Sequence, residues 1–206
     1  MAEKLQARAV NTRRKILSSA VSCFSASGLS GTTVDDIAGN AGVNKQRIYA
    51  YFGSKQKLFE AALLEVFNSV KLCSASVVDE AKAHPEELSR IVFGSFLRVH
   101  KEHPDLWRLL AWANLEGKEC ADVLNGVRSE ENDALREVFD TARSRGLIAD
   151  VSFGIWLFSL LGLSCFYHSN QLTMIHTLDA GVAGELWRQE LENSVQKLFG
   201  AAGKND

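Results

Sequence analysis

The sequence predicts an all-α protein in which an amino-terminal three-helix domain precedes a larger helical bundle. Apolar residues recur at spacings of three and four along nearly the whole chain, which is the period of amphipathic helices. Only Pro85 and Pro104 interrupt this pattern, and no segment alternates as a half-buried strand does. We therefore expect about nine helices and no strands.

Composition excludes several other classes of protein. The chain has 206 residues, of which 46% are hydrophobic, so it can bury a core without disulfides or metals. Its 4 cysteines lie far apart and lack the Cys and His spacing of a zinc site. We therefore expect reduced thiols, no metal ion and no cofactor.

Neither export nor membrane insertion is expected. The first residues lack the apolar run and the cleavage site of a secretory signal. The uncharged stretch 153–167 is shorter than the about 20 residues that a membrane-spanning helix needs. These features predict a cytoplasmic protein without a membrane partner.

Charge is distributed unevenly along the chain. Residues 1–60 hold nine Lys and Arg against four Asp and Glu, whereas residues 61–206 hold fourteen against twenty-one. Because lysine and arginine gain free energy when they displace counterions from phosphate, the basic first part favours a polyanionic partner. A solvated charged surface would give the same counts. The residues between the charges must therefore show whether this part of the chain binds a polyanion.

The helices are predicted in order from their start and stop signals. The first covers 12–27 and ends at Gly28, and Thr32 or Thr33 caps the start of the next. A longer helix follows Ser54. Carboxylates follow each proline, which suits a first helical turn. The remaining helices are expected over 86–101, 105–115, 118–145, 152–170 and 180–199.

Residues 32–52 carry the most informative pattern. They divide into two short helices around Gly42, which can adopt the positive φ of a tight turn. Ala38 is small enough for the two helices to cross closely, so the spacing predicts a helix-turn-helix. Its shared core is expected to contain Ile37, Ala41, Val43, Ile48 and Tyr51.

The second helix of this motif presents donors suited to base edges. Asn44 is placed to cap it and is itself among the predicted DNA-binding residues. The cap leaves exposed a first turn formed by Lys45, Gln46 and Arg47, where a major groove is read. Arg47 can bond guanine in a bidentate manner, Gln46 suits adenine, and Lys45 suits a guanine edge or a phosphate. A merely solvated turn is the alternative.

Phosphate contacts are expected around these residues. Backbone N–H groups and the dipole at a helix start favour an anion near Thr33 and Lys55. A basic arm between residues 4 and 14 is expected to lie along the DNA backbone or to enter a minor groove. The predicted phosphate contacts are Thr33, Tyr49, Tyr51 and Lys55, although Tyr51 also suits the core of the motif.

In the order and spacing of these residues, the segment 10–60 resembles the DNA-binding domain of the TetR/AcrR family of transcriptional regulators. The segments that carry the resemblance are 32–38, 41–43 and 48–55, followed by Leu58. The resemblance implies a DNA-binding domain over 1–54 whose third helix reads DNA. It also implies a helical effector-binding and dimerisation domain over 55–206.

The recognition helix departs from the family pattern at two positions. Gln46 stands where the family usually has a small residue, and Ala50 stands where it often has histidine. These departures point to an operator sequence of its own. The resemblance further implies a ligand-responsive repressor with three partners: a palindromic double-stranded DNA operator, a second copy of the chain, and a small effector that releases the protein from DNA.

The carboxyl-terminal helices suit a dimer interface. The helix over 152–170 is apolar on every side, so one side is expected to cover its own protomer and the other a partner. The last helix adds an apolar stripe, and two such pairs make an isologous four-helix interface. The residues expected there are Trp156, Ser159, Gly162, Leu163, Trp187, Leu191, Ser194, Val195 and Leu198.

An effector pocket is expected among the middle helices. Its candidate lining is rich in aromatic residues, which favours a small apolar or aromatic molecule with few polar anchors. The same residues would serve equally as packing. The candidate lining consists of Phe67, Phe96, His100, Trp107, Ala111, Asn114, Phe139 and Cys165.

Two other classes of function are the alternatives to a regulator. A helical metal–carboxylate enzyme needs Glu-x-x-His pairs, and the sequence lacks these as well as a phosphate loop, an HExxH motif and a nucleophile elbow. The adjacent Asp35 and Asp36 suit a helix start better than a catalytic pair, so we expect no catalytic residue. A protein-binding adaptor, unlike a regulator, predicts unchanged duplex affinity when Lys45 or Arg47 is removed.

Overall fold

The computed structural model describes residues 2–70, 74–125, 127, 129–178 and 180–201, and the all-α prediction is confirmed for them. They form twelve α-helices, three short 3₁₀ turns and a single isolated bridge between Ile148 and Gly200. The α-helices are α1 (Ala2–Gly31), α2 (Val34–Ala41), α3 (Lys45–Phe52), α4 (Lys55–Ser69), α5 (Ala75–Ala83), α6 (Leu88–Glu102), α7 (Pro104–Glu116), α8 (Lys118–Ala121), α9 (Ser129–Ser144), α10 (Phe153–Ser169), α11 (Gln171–Thr177) and α12 (Glu185–Phe199).

The expected count of about nine helices is too low for two reasons. The helix predicted over 118–145 is divided into α8 and α9. The short helices α5 and α11 were not predicted, because a helix of two turns shows too few periods for its pattern to be recognised. The earlier start of α1, at Ala2 instead of residue 12, does not change the count.

The chain forms two compact units. Unit 1 comprises Met1–Val70 and His103–Val127, and unit 2 comprises Lys71–Glu102 and Arg128–Asp206. The units do not follow the predicted functional boundary after residue 54, because α4 and α7 pack on α1, and α8 packs on α4 and α7. The boundary at residue 54 therefore stays a prediction about function.

The core of unit 1 lies between α1, α4 and α7. Phe24 of α1 and Phe59 of α4 meet edge to face with ring centroids 5.2 Å apart, and both are fully buried. Leu109 of α7 is buried in the same cluster. Apolar side chains from these three helices thus form one buried cluster with those of α2 and α3, and this packing stabilises the helix-turn-helix.

Gly28 ends the regular part of α1, as predicted. Its φ of 69° and ψ of −177° are essentially restricted to glycine. The missing side chain also makes room for Trp112, whose Cε3 would lie 2.6 Å from an added Cβ. The Trp112 indole donates to the Ser25 carbonyl at 3.3 Å, so α7 is held against the carboxyl end of α1.

The core of unit 2 surrounds α6. The fully buried Trp156 of α10 donates its indole N–H to the Ser89 hydroxyl at 3.0 Å and packs beside Phe139 of α9. On the same helix pair, His168 shares a hydrogen bond of 2.9 Å with the Leu97 carbonyl. These contacts join α10 to α6 through buried polar groups as well as apolar packing.

Histidine also occurs inside this core. The Nδ1 atom of His100 lies 2.8 Å from the Phe96 carbonyl, and its ring stacks with His168 at a centroid distance of 5.9 Å. Burial lowers the pKa of His100 to about 3, so this side chain is neutral at pH 7.

Within the described residues, no helix is long and apolar enough to span a bilayer.

Candidate nucleic-acid interface

The turn of the helix-turn-helix is built around Gly42, as predicted. Gly42 has φ 64° and ψ 38°, the left-handed conformation that closes many helices. Its N–H donates to the Gly39 carbonyl at 3.2 Å, and the Val43 N–H donates to the Ala38 carbonyl at 3.0 Å. This pair of bonds is a Schellman motif, which ends α2 and turns the chain toward α3.

A small buried core holds the two helices in place. Ile37 of α2 and Ile48 of α3 are at most 1% exposed, and Ala38 is buried at the helix crossing. The Ser19 hydroxyl of α1 donates to the Ile37 carbonyl at 3.0 Å. Because one face of α3 is held by this packing, its opposite face is presented at a defined orientation.

The exposed first turn of α3 is the predicted reading surface. The Asn44 side chain accepts a hydrogen bond from the Gln46 N–H at 2.9 Å, so Asn44 is the amino-terminal cap. Lys45, Gln46 and Arg47 are all exposed. These three side chains, defined here as the basic tip, offer charged and amide donors suited to base edges and phosphates.

Two tyrosines extend the exposed surface along α3. Tyr49 is 47% exposed and Tyr51 is 38% exposed. The alternative of a core role for Tyr51 is therefore wrong, because Ile48 and Phe52 occupy the buried side of the helix. Both side chains are exposed, and their contact with phosphate stays a prediction.

Thr33 has a capping role that limits its part in phosphate binding. Its hydroxyl accepts from the Asp36 N–H at 3.1 Å and donates to the Asp36 carboxylate at 2.5 Å. Its backbone N–H also donates to that carboxylate, at 3.1 Å. These bonds lower the pKa of Asp36, and they commit both donors of Thr33 within the protein.

Lys55 is also partly committed to the fold. It is half-buried, and its Nζ donates to the Thr32 carbonyl at 3.0 Å. This bond ties the start of α4 to the loop before α2. A phosphate contact from Lys55 would therefore use only the remaining donors of its ammonium group.

The basic arm is helical. Arg8, Arg13 and Arg14 are exposed on α1, and Arg13 also lies over the Phe52 ring at 5.3 Å from its centroid. The side chains of residues 2–5 lie outside the described part of the structure. An α-helix about 10–12 Å across is wider than a minor groove of about 6 Å, so only side chains of this arm reach into that groove. Its placement on the DNA backbone or at a minor groove stays a prediction.

Sequence reasoning missed one charged contact at this surface. Lys45 Nζ lies 3.2 Å from a carboxylate oxygen of Asp35 in α2. Ten residues separate them along the chain, so no helical spacing rule could have found this pair.

The residues predicted for dimerisation lie partly inside the protomer. Trp156 and Val195 are at most 1% exposed, so they pack inside the protomer and their prediction as interface residues is wrong. The exposed side of α10 carries an apolar stripe in which Phe158 is 73% exposed. Of the other predicted residues, Gly162, Leu163 and Leu198 are exposed, whereas Ser159, Trp187, Leu191 and Ser194 are half-buried. The stripe that the prediction missed consists of Ile155, Phe158 and Phe166, which lie beside Leu163.

The residues predicted for an effector pocket are divided between the units. Phe67, Trp107, Ala111 and Asn114 belong to unit 1, and Phe96, His100, Phe139 and Cys165 belong to unit 2. Phe96, His100 and Phe139 are at most 2% exposed and pack in the core of unit 2. Ala111 and Asn114 are exposed, which does not suit the lining of an enclosed cavity. Phe67, Trp107 and Cys165 are half-buried.

Unit 2 also contains a groove of different character. Its volume is ≈ 580 Å³, and charged side chains of α6 and α12 dominate its walls. None of the eight predicted pocket residues lines it. Among the described residues, no group of three His, Cys, Asp or Glu side chains is placed to hold a metal ion.

A helix-turn-helix with an exposed basic tip on its second helix defines a DNA-binding protein. The sequence-family model described as bacterial regulatory proteins, tetR family, matches residues 16–62 of this chain. Over 183 residues the chain is 30% identical to the HTH-type transcriptional repressor NicS of Pseudomonas putida, a match that covers 87% of this chain and 84% of NicS. Over 140 residues it is 33% identical to the HTH-type transcriptional repressor SCO4008 of Streptomyces coelicolor, a match that covers 68% of each chain.

A solved structure has the same fold. A TetR family transcription regulator from Marinobacter aquaeolei VT8 superposes with a TM-score of 0.68 at 18% identity, covering 96% of this chain and 100% of that chain. The chain belongs to the TetR family of bacterial regulatory proteins, and it is a DNA-binding transcriptional regulator.

Proposed function

We propose that this regulator is a repressor that binds a palindromic operator as a homodimer. The observation that carries the DNA contact is the basic tip, which Asn44 caps and the Gly42 turn holds outward. NicS and SCO4008 bear the name of transcriptional repressors, which supports the direction of regulation. Because a bacterial chromosome lies in the cytoplasm, this function also supports a cytoplasmic location.

The contacts divide into base readout and positioning. Arg47 and Gln46 are proposed to read base edges, where each good bidentate pair discriminates by about 1–3 kcal/mol. Lys45, Tyr49, Tyr51 and the spare donors of Lys55 are proposed to hold the phosphates. Thr33 and Asn44 are proposed to act indirectly, because their side chains cap α2 and α3.

The proposed dimer follows from the apolar stripe of α10. Contiguous exposed apolar side chains on a monomer surface indicate an interaction site. Self-association of this stripe with the exposed face of α12 gives an isologous interface, and two recognition helices then meet one operator with half-sites about 34–36 Å apart or a multiple of this spacing.

The proposed repressor is released by a small molecule. A change of five- to 150-fold in operator affinity requires about 1–3 kcal/mol of differential binding between the two protein states. The buried aromatic residues of unit 2 support an apolar effector only if that core opens, whereas the groove on α6 and α12 suits a polar one. A compound that binds tightly without altering operator affinity would contradict this part of the proposal.

Selection of bound fragments from a random duplex library tests the DNA-binding proposal and identifies the operator. Arg47→Ala is expected to weaken binding and to relax preference at one base pair per half-site, whereas Lys45→Ala weakens all sequences about equally. Arg108→Ala, on the exposed face of α7, is the charge-matched control for Arg47. Unchanged affinity in both tip variants would favour an adaptor or an enzyme instead.

A further inference from the structure

The ion pair between Asp35 and Lys45 joins the two helices of the motif at the proposed DNA surface. Lys45 Nζ lies 3.2 Å from Oδ1 and 3.3 Å from Oδ2 of Asp35. The two side chains remain 52% and 72% exposed, for Lys45 and Asp35 respectively, so an incoming phosphate can reach the ammonium group. Lys45 is therefore accessible to DNA but already has an anionic partner.

The neighbouring acid does not share this role. Asp36 is bonded to the hydroxyl and the backbone N–H of Thr33, so its carboxylate is used in capping α2. Asp35 occupies the first turn of α2 as well, but it takes no part in the capping box. The two adjacent acids thus differ: Asp36 stabilises the helix start, and Asp35 faces the recognition helix.

We propose that Asp35 limits the DNA affinity of this regulator by competing with phosphate for Lys45. The inference rests on the proposed contact of Lys45 with DNA. Binding of a phosphate draws the Lys45 ammonium group away from Asp35, and the Asp35 carboxylate then attracts a cation from solution. Fewer counterions are then released overall, and counterion release is the main source of non-specific affinity.

The size of the effect follows from the exposure of the pair. An exposed ion pair changes an equilibrium constant by about 1.4- to five-fold. Removing Asp35 should strengthen binding to any duplex by this factor. It should also steepen the dependence of log Kd on log salt concentration by up to about 0.9, the contribution of one phosphate contact.

Fluorescence anisotropy with a labelled random-sequence duplex, measured over a series of NaCl concentrations, tests the proposal. The four proteins form a double-mutant cycle: wild type, Asp35→Asn, Lys45→Gln and the variant that carries both substitutions. Glu65→Gln, on the exposed surface of α4, changes the net charge equally and is the matched control. Thermal unfolding of each variant verifies that the helix-turn-helix is folded.

The expected result is tighter binding for Asp35→Asn, with no such gain in the Lys45→Gln background. An equal gain in both backgrounds would show that Asp35 repels DNA directly, and an equal gain from Glu65→Gln would show an effect of net charge; either result overturns the proposal. If Lys45→Gln weakens binding while Asp35→Asn changes nothing, only the role of Asp35 fails. Unchanged binding by Lys45→Gln would instead overturn the proposed DNA contact on which the inference rests.

Discussion

Two glycines of the helix-turn-helix should respond to alanine with opposite signs. Gly39 lies within α2 and Gly42 closes it, and neither position has an atom within 4 Å of an added Cβ. Steric clash therefore contributes to neither substitution. The difference between them isolates the backbone conformation that each position requires.

The magnitudes follow from that conformation. Gly39→Ala should raise the free energy of unfolding by about 0.5–1 kcal/mol, because alanine loses less conformational entropy in a helix. At Gly42 the φ of 64° costs an alanine about 1–2 kcal/mol, partly offset by about 0.4–1 kcal/mol from a more restricted unfolded chain. The two variants should therefore differ by about 0.5–2.5 kcal/mol, with Gly42→Ala the less stable.

Urea unfolding followed by circular dichroism measures this difference, at one protein concentration because dimer stability depends on it. The slope of the free energy against urea should stay the same, so the shift in midpoint reports stability alone. Gly42→Asn should lie between Gly42→Ala and wild type, since asparagine tolerates positive φ better. Equal effects of alanine at both positions would refute the proposed Schellman turn.

Three further predictions concern separate parts of the molecule. Thr33→Ala should lower stability by about 1 kcal/mol through loss of the α2 cap, with DNA affinity measured on the folded protein nearly unchanged; a large loss of affinity would restore Thr33 as a phosphate contact. His100 has a pKa of about 3 in the folded protein and an ordinary value of 6.5 when unfolded, so unfolding takes up a proton below pH 6.5. The free energy of unfolding should therefore fall by up to about 1.4 kcal/mol per pH unit as the pH drops below 6.5. Urea titrations at pH 5 and pH 7 should show a weaker pH dependence for His100→Gln, but not for the exposed control His176→Gln. Phe158→Glu should shift the protein from dimer to monomer in sedimentation, and a persistent dimer would exclude the stripe of α10 from the interface.

Much of the candidate site could be predicted because its determinants are local. A cap at Asn44, a glycine at the turn and a donor-rich first turn lie within a few residues of each other, and backbone sterics alone give each its role. The resemblance to the TetR family depended on the same short segment. The ion pair of Lys45 with Asp35 and the bond of Lys55 to Thr32 join residues ten and twenty-three positions apart, which no local spacing reveals. The capping of α2 by Thr33 is different, because Thr33 and Asp36 have the three-residue spacing of a capping box.

The dimer face shows the same limit. Because α10 is apolar on every side, periodicity carries no signal about which side faces the core, and the predicted face wrongly included Trp156. In the structure Trp156 packs against Phe139 and donates its indole N–H to the Ser89 hydroxyl, and Phe158 lies on the exposed side of α10.

The order of amino acids by itself determined the helical class, the turn at Gly42 and the basic tip, because periodicity, left-handed backbone and capping act over a few neighbouring residues. Only the tertiary structure decided that α4 and α7 share a core with α1, that Asp35 faces Lys45, and which side of α10 is exposed. These features join residues distant in the chain, and packing chooses among partners that a linear pattern leaves equivalent.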